Sequence, residues 1–128
     1  MPHSALLVED SQTIRDSLIP TIRELAGIEV VGVAESPQEA IVLAQERNWS
    51  LMILDLFLKD GSGLNVLEAL HGRTHGQRIV VLTNYATPDV RVRCAALGSD
   101  AVFDKSTELD DFFDYCIGFS TSWAPLVS

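Results

Sequence analysis

Four apolar runs each end in residues able to do chemistry. Glu9 and Asp10 follow Ala5-Leu6-Leu7-Val8, and Asp55 follows Leu51-Met52-Ile53-Leu54. Thr83 follows Ile79-Val80-Val81-Leu82, and Lys105 comes just after Ala101-Val102-Phe103. Taken singly, each has an ordinary reading. Glu9-Asp10 suits a polar strand end with a helix cap, and Thr83 suits a strand. An aspartate directly behind four apolar residues is harder to dismiss, because a buried carboxylate without partners is costly. If these run ends meet, one pocket holds three carboxylates, a hydroxyl and an ammonium. Three carboxylates repel one another, and a divalent cation relieves that repulsion. An oxygen-only set with no His or Cys beside it suits Mg²⁺ rather than zinc. A carboxylate beside such an ion can attack phosphorus and form an acyl phosphate. The cation and an ammonium then stabilise charge on the equatorial oxygens. The set fits phosphoryl acceptance on Asp55.

The elements that must position these residues are legible in the periodicity. Five short apolar runs, the four above and Glu29-Val30-Val31-Gly32-Val33, are too continuous for one-sided strands and suit parallel strands buried on both faces. Helical patterns lie between them. Ile14, Leu18, Ile22 and Leu25 or Ala26 share one face of the first, and Pro20 inside it should kink it. Ser36-Pro37-Gln38-Glu39 and Thr87-Pro88-Asp89 carry cap signals for the second and fourth, and Gly98 stops the fourth. Val66, Leu67 and Leu70 mark the short third; Leu109, Phe112, Phe113 and Cys116 mark the fifth. Strands alternating with helices give right-handed crossovers, a parallel sheet and helices on both faces. Ligands of such sheets bind outside the carboxyl ends of the strands, where the polar residues sit.

Length and composition agree. A chain of 128 residues, 47% hydrophobic, suits a single domain. The net charge of −9 argues against direct nucleic-acid binding and against an anionic membrane surface. No apolar run is long enough to cross a bilayer, so no membrane insertion is expected. Two isolated cysteines, Cys94 and Cys116, suit reduced thiols and a cytoplasmic location. Gly61-Ser62-Gly63 lacks the lysine of a phosphate-binding loop and reads as a turn before the third helix. His71 and His75 read as loop residues rather than metal ligands, and the acids Glu108, Asp110, Asp111 and Asp114 as a solvated face.

The chain resembles the receiver domain of bacterial two-component response regulators (CheY-like). The resemblance rests on Leu7-Val8-Glu9-Asp10-Ser11, Ile53-Leu54-Asp55-Leu56 with Gly61-Ser62-Gly63-Leu64, Val81-Leu82-Thr83 and Phe103-Asp104-Lys105, in that order along the chain. It implies an α/β fold of the flavodoxin-like kind. That fold is a doubly wound five-stranded parallel sheet, order 2-1-3-4-5, flanked by five helices. Residues 1–118 would form the receiver domain and 119–128 a short C-terminal tail, broken at Pro125, with no output domain. The resemblance makes Asp55 the phosphoacceptor. Glu9, Asp10, Asp55 and the backbone carbonyl of Phe57 become the Mg²⁺ site, with Glu9 acting through a water. Thr83 becomes the switch hydroxyl, with Asn84 beside it, and Lys105 the phosphate-binding ammonium. The donor would be a phosphohistidine on a sensor histidine kinase or a histidine phosphotransfer protein. A downstream protein, or a second copy in a homodimer, would read the face made by the fourth helix, fifth strand and fifth helix. The chain would then be a stand-alone signalling module rather than an enzyme, its output a change in partner binding.

Four positions depart from the family pattern. Val102 stands where a rotating aromatic is usual, Asn84 where a small residue follows the switch hydroxyl, Ser106 where proline follows the lysine, and Lys59 where proline is frequent. Two readings compete with the signalling module. A phosphorylation-independent adaptor would have no use for the intact acidic set. An aspartyl-nucleophile phosphatase needs an acid two residues after the nucleophile, and that residue is Phe57. Phe57 and Tyr85, two residues after Asp55 and Thr83, flank the path of an attacking water and are expected to tune the lifetime of the phosphoryl group.

Overall fold

The computed structural model describes residues 3–122. The elements are β1 (His3–Val8), α1 (Gln12–Ala26), β2 (Ile28–Ala34), α2 (Pro37–Glu46), β3 (Leu51–Leu54), β4 (Phe57–Leu58), β5 (Gly61–Ser62), α3 (Gly63–Ala69), β6 (Arg78–Thr83), α4 (Pro88–Ala96), β7 (Ala101–Asp104) and α5 (Leu109–Ser122). Five strands form one parallel sheet in the order β2-β1-β3-β6-β7. This is the expected doubly wound order 2-1-3-4-5, counting the sheet strands alone.

Alternation along each strand divides the core into two layers. Leu6, Val8, Met52, Leu54, Ile79 and Val81 face one side, where they pack with Ala40 of α2, Val66 and Leu67 of α3 and Cys94 of α4. Ala5, Leu7, Leu51, Ile53, Val80 and Leu82 face the other, against Leu18 and Ile22 of α1 and Phe112, Cys116 and Phe119 of α5. Every residue of β3 is buried, as a strand covered on both faces requires.

The expected caps of α2 and α4 form, and α1 is capped by Ser11 rather than by Glu9-Asp10. Ser11, Ser36 and Thr87 accept from the backbone N–H groups of Ile14, Glu39 and Val90. Gly27 closes α1 in the left-handed conformation, φ 65°. Of the two candidates for the last apolar position of α1, Ala26 joins the core and Leu25 is half exposed. The helix continues through Pro20 without interruption.

Two features differ from expectation. Between β3 and α3 the chain makes a small antiparallel hairpin, Phe57 opposite Ser62 and Leu58 opposite Gly61. Its two-residue turn places Asp60 at φ 61°, a conformation aspartate tolerates better than most residues. The other difference is at the carboxyl end. There α5 continues to Ser122, past the expected start of the tail at residue 119, and Phe119 is buried in the second core layer. Phe112, Cys116 and Phe119 make one apolar stripe at helical spacing, which carries the helix past the expected end. The break expected at Pro125 lies outside the described residues. No helix among the described residues is long and apolar enough to cross a membrane.

Candidate functional site

The carboxyl ends of β1, β3, β6 and β7 bring the polar residues together because neighbouring strands stay in register. Val8 pairs with Leu54, so Glu9 and Asp55 emerge side by side. Backbone bonds extend the sheet into both: Glu9 N–H donates to Ala34 O at 2.9 Å, and Asp55 N–H to Val8 O at 3.0 Å. On the far side Thr83 pairs with Asp104, and Lys105 N–H donates to Thr83 O at 2.9 Å.

Carboxylate oxygens of Glu9, Asp10 and Asp55 all lie within 4.8 Å of one another. Glu9 and Asp55 are buried, and Asp10 is exposed at the mouth. Lys105 Nζ donates to Glu9 Oε1 at 2.5 Å and to Asp55 Oδ2 at 3.0 Å. Asp55 Oδ1 accepts from the N–H of Leu56 at 2.7 Å and of Phe57 at 3.4 Å. Glu9 Oε2 accepts from Ser11 N–H at 3.1 Å. Burial pushes the Glu9 carboxyl above its ordinary range and outweighs the lowering by Lys105 and the Ser11 N–H; Asp55 pushes the same way as burial. For Lys105 burial alone would lower the ammonium, but the bonds and charges of Glu9 and Asp55 outweigh it and the net direction is up. Lys105 is thus a largely covered counter-ion to two buried carboxylates. Three carboxylate groups with one lysine still leave an excess of negative charge. The donor set is all oxygen and reaches solvent through Asp10, which fits a hard divalent cation that keeps part of its water shell.

Thr83 is fully buried, and its Oγ1 accepts from Tyr85 N–H at 3.4 Å. Asn84 is exposed, and its Oδ1 accepts from Ser106 Oγ at 3.3 Å, so two of the departures from the family pattern touch each other. Phe57 and Tyr85 meet with ring centroids 4.4 Å apart and planes tilted by 53°. Each residue is 57% exposed, so the pair stands as an aromatic wall on the solvent side. Among the described residues, His71 and His75 join no metal-capable group.

The family signature is decided by sequence comparison over most of the chain. The family described as the response regulator receiver domain matches residues 5–116. The chain belongs to this family. The receiver is 36% identical over 110 residues to the acid tolerance regulatory protein ActR of Rhizobium meliloti, a match covering 86% of this chain and 56% of that one. It thus spans about half the length of the curated relatives it matches. Among solved structures, the response regulator TrrA of Thermotoga maritima, held in complex with Mg²⁺ and BeF, superposes with a TM-score of 0.78 at 27% identity, covering 93% of this receiver and 99% of that chain. A LuxR-family response regulator from Staphylococcus aureus superposes at 0.82 with 19% identity, covering 92% and 98%, which shows the shared fold.

One residue that sequence reasoning treated only as part of a turn supports the site directly. A Cβ on Gly63 would lie 2.3 Å from the backbone oxygen of Asp55 and 3.0 Å from Leu56 Cα. Gly63 N–H also donates to Leu56 O at 2.9 Å. The hairpin folds back so that α3 begins against the backbone of the acidic loop, and only glycine leaves room. Gly63→Ala is expected to destabilise the fold by about 2–3 kcal/mol through backbone overlap. Urea unfolding measures it, and the same variant should bind Mg²⁺ more weakly because Asp55 is displaced.

Proposed function

We propose that this receiver accepts a phosphoryl group on Asp55 from a phosphohistidine donor and thereby changes its affinity for a downstream protein. The observation that carries the proposal is the cluster itself: three carboxylates within 4.8 Å, two of them bonded by one largely covered lysine. In the transfer, an Asp55 carboxylate oxygen forms the new O–P bond as the P–N bond of the donor breaks. The electron pair leaves on the imidazole, which takes up a proton. Asp10, Asp55 and the Phe57 carbonyl, with Glu9 acting through a water, would hold a Mg²⁺ ion, which would supply charge stabilisation at the phosphoryl oxygens. Lys105, whose ammonium bonds Glu9 and Asp55, supplies a positive charge beside the acceptor oxygens. TrrA, a structural relative, is held in complex with Mg²⁺ and BeF, which supports a Mg²⁺-dependent reading of the acidic cluster here. The donor is a sensor histidine kinase or a histidine phosphotransfer protein, and the face that changes is that of α4, β7 and α5. A hydrolytic role is disfavoured by Phe57, which offers no proton to a leaving group where an aspartyl phosphatase needs an acid.

Mg²⁺ titration followed by thermal unfolding tests the cation site. At about a hundred times its Kd, a ligand bound only by the folded state adds ~2.7 kcal/mol. For a domain of this size that raises Tm by roughly 10 °C. Asp10→Asn should remove most of the rise. An equal rise in the variant would place the ion elsewhere.

A further inference from the structure

Arg91 is half-buried on α4 and uses three separate nitrogens on three separate elements. Its Nε donates to Ala86 O at 3.0 Å, in the loop that follows Thr83. Its Nη1 donates to Val102 O at 3.1 Å, in the middle of β7. Its Nη2 donates to Glu108 Oε1 at 2.5 Å, where the chain enters α5. The same Glu108 oxygen accepts from Asp104 N–H at 2.9 Å, and Glu108 N–H donates to Asp104 O at 2.9 Å. Phe112 N–H, one turn into α5, donates to Glu108 O. The loop thus meets both β7 and the start of α5 through one planar group. Arg91 and the hydrogen bond from Asp104 N–H hold the Glu108 carboxyl below the usual range.

We propose that Arg91 is the positioning residue that transmits movement of the Thr83 loop to β7 and the start of α5. This rests on the phosphoacceptor reading of Asp55. A guanidinium is a rigid fork whose donors keep fixed relative directions. If Thr83 is drawn toward a phosphoryl group, residues 84–87 follow, and the Ala86 carbonyl moves relative to Nε. The fork cannot bend, so either the Val102 bond or the Glu108 pair must adjust with it. Val102 has no ring and a narrow χ1 range, so its side chain offers no second lever. Phe103 packs on the opposite face of the sheet. The other links from the loop are short-range. Asn84 meets Ser106 at the surface, Lys105 N–H meets Thr83 O, and Tyr85 leans on Phe57. None of these side-chain links ties residues 84–87 to Glu108; Thr83 itself reaches it only through the backbone of its sheet partner Asp104.

A plain structural staple between α4 and the sheet would show the same contacts in the resting state, so the test must read transmission. Amide NMR is recorded with and without Mg²⁺ and beryllofluoride for wild type, Arg91→Lys, Arg91→Ala and Glu108→Gln. Arg91→Lys keeps the charge but cannot span three acceptors. Glu108→Gln removes the charge pair while leaving Arg91 on Ala86 and Val102, and serves if Arg91→Ala does not fold. The expected result is retention of the shifts at residues 54–57 and 83 in every folded variant, with loss of most of the shift at residues 108–116. Full wild-type shifts at 108–116 in Arg91→Lys and Glu108→Gln would overturn the proposal while leaving the phosphoacceptor reading intact. Absence of shifts at 54–57 in wild type itself would overturn both.

Discussion

Lys105→Met is expected to cost the metal-free receiver about 3 kcal/mol of stability at neutral pH, measured by urea unfolding in EDTA. The lysine ammonium is the counter-ion for two buried carboxylates, Glu9 and Asp55, and its own side chain is 10% exposed. Methionine fills similar volume but leaves those charges facing each other and Asp10 without compensation. The usual cost of breaking a buried pair is ~3–5 kcal/mol. The low end applies here, because the cluster opens to water through Asp10 and because Glu9, already pushed up by burial, can take a proton instead. Mg²⁺ should return part of the loss, since the same carboxylates then face a cation. A loss below about 1 kcal/mol would mean that Lys105 is not the electrostatic partner its contacts suggest.

Replacing the aromatic wall is expected to shorten the phosphoryl lifetime by about tenfold or more, which needs only ~1.4 kcal/mol of barrier. Phe57 of β4 and Tyr85 of the loop after β6 lie two residues after Asp55 and Thr83, and their rings touch. Apolar rings exclude water and offer no base to orient one toward phosphorus. In Phe57→Asn/Tyr85→Glu the amide and carboxylate can bind and direct water, so autodephosphorylation should accelerate. The ring contact adds that the single variants should each loosen the other ring, making the pair non-additive. Equal lifetimes in wild type and the double variant would show that the wall does not control water.

The acidic cluster was legible because it breaks a local rule. A charged residue directly after a buried apolar run has no cheap place to go, so Glu9 and Asp55, and Lys105 one residue beyond its run, point to strand ends, while the strand order that joins them in one pocket comes from the resemblance. Val102 and Phe103 were separable for a similar reason, since strand alternation sends them to opposite core layers, as observed. Other features were hidden for physical reasons. Phe57-Leu58 continues an apolar stretch, so nothing in its pattern marks a hairpin. The need for glycine at 63 comes from a backbone approach set by tertiary packing. Arg91 acts chiefly on backbone carbonyls, which are the same for every residue type and leave no trace in composition. Gly118 is a weak helix former that reads as a stop, yet the apolar stripe of Phe112 and Cys116 continues past it to Phe119.

Asp55 is the residue proposed to receive the phosphoryl group. Intact-protein mass spectrometry after treatment with acetyl phosphate and Mg²⁺ reads it directly. The account predicts one added phosphoryl group on the wild-type chain, strong suppression by EDTA, and none on Asp55→Asn. A label that persists on Asp55→Asn, with the same Mg²⁺ dependence, would contradict it.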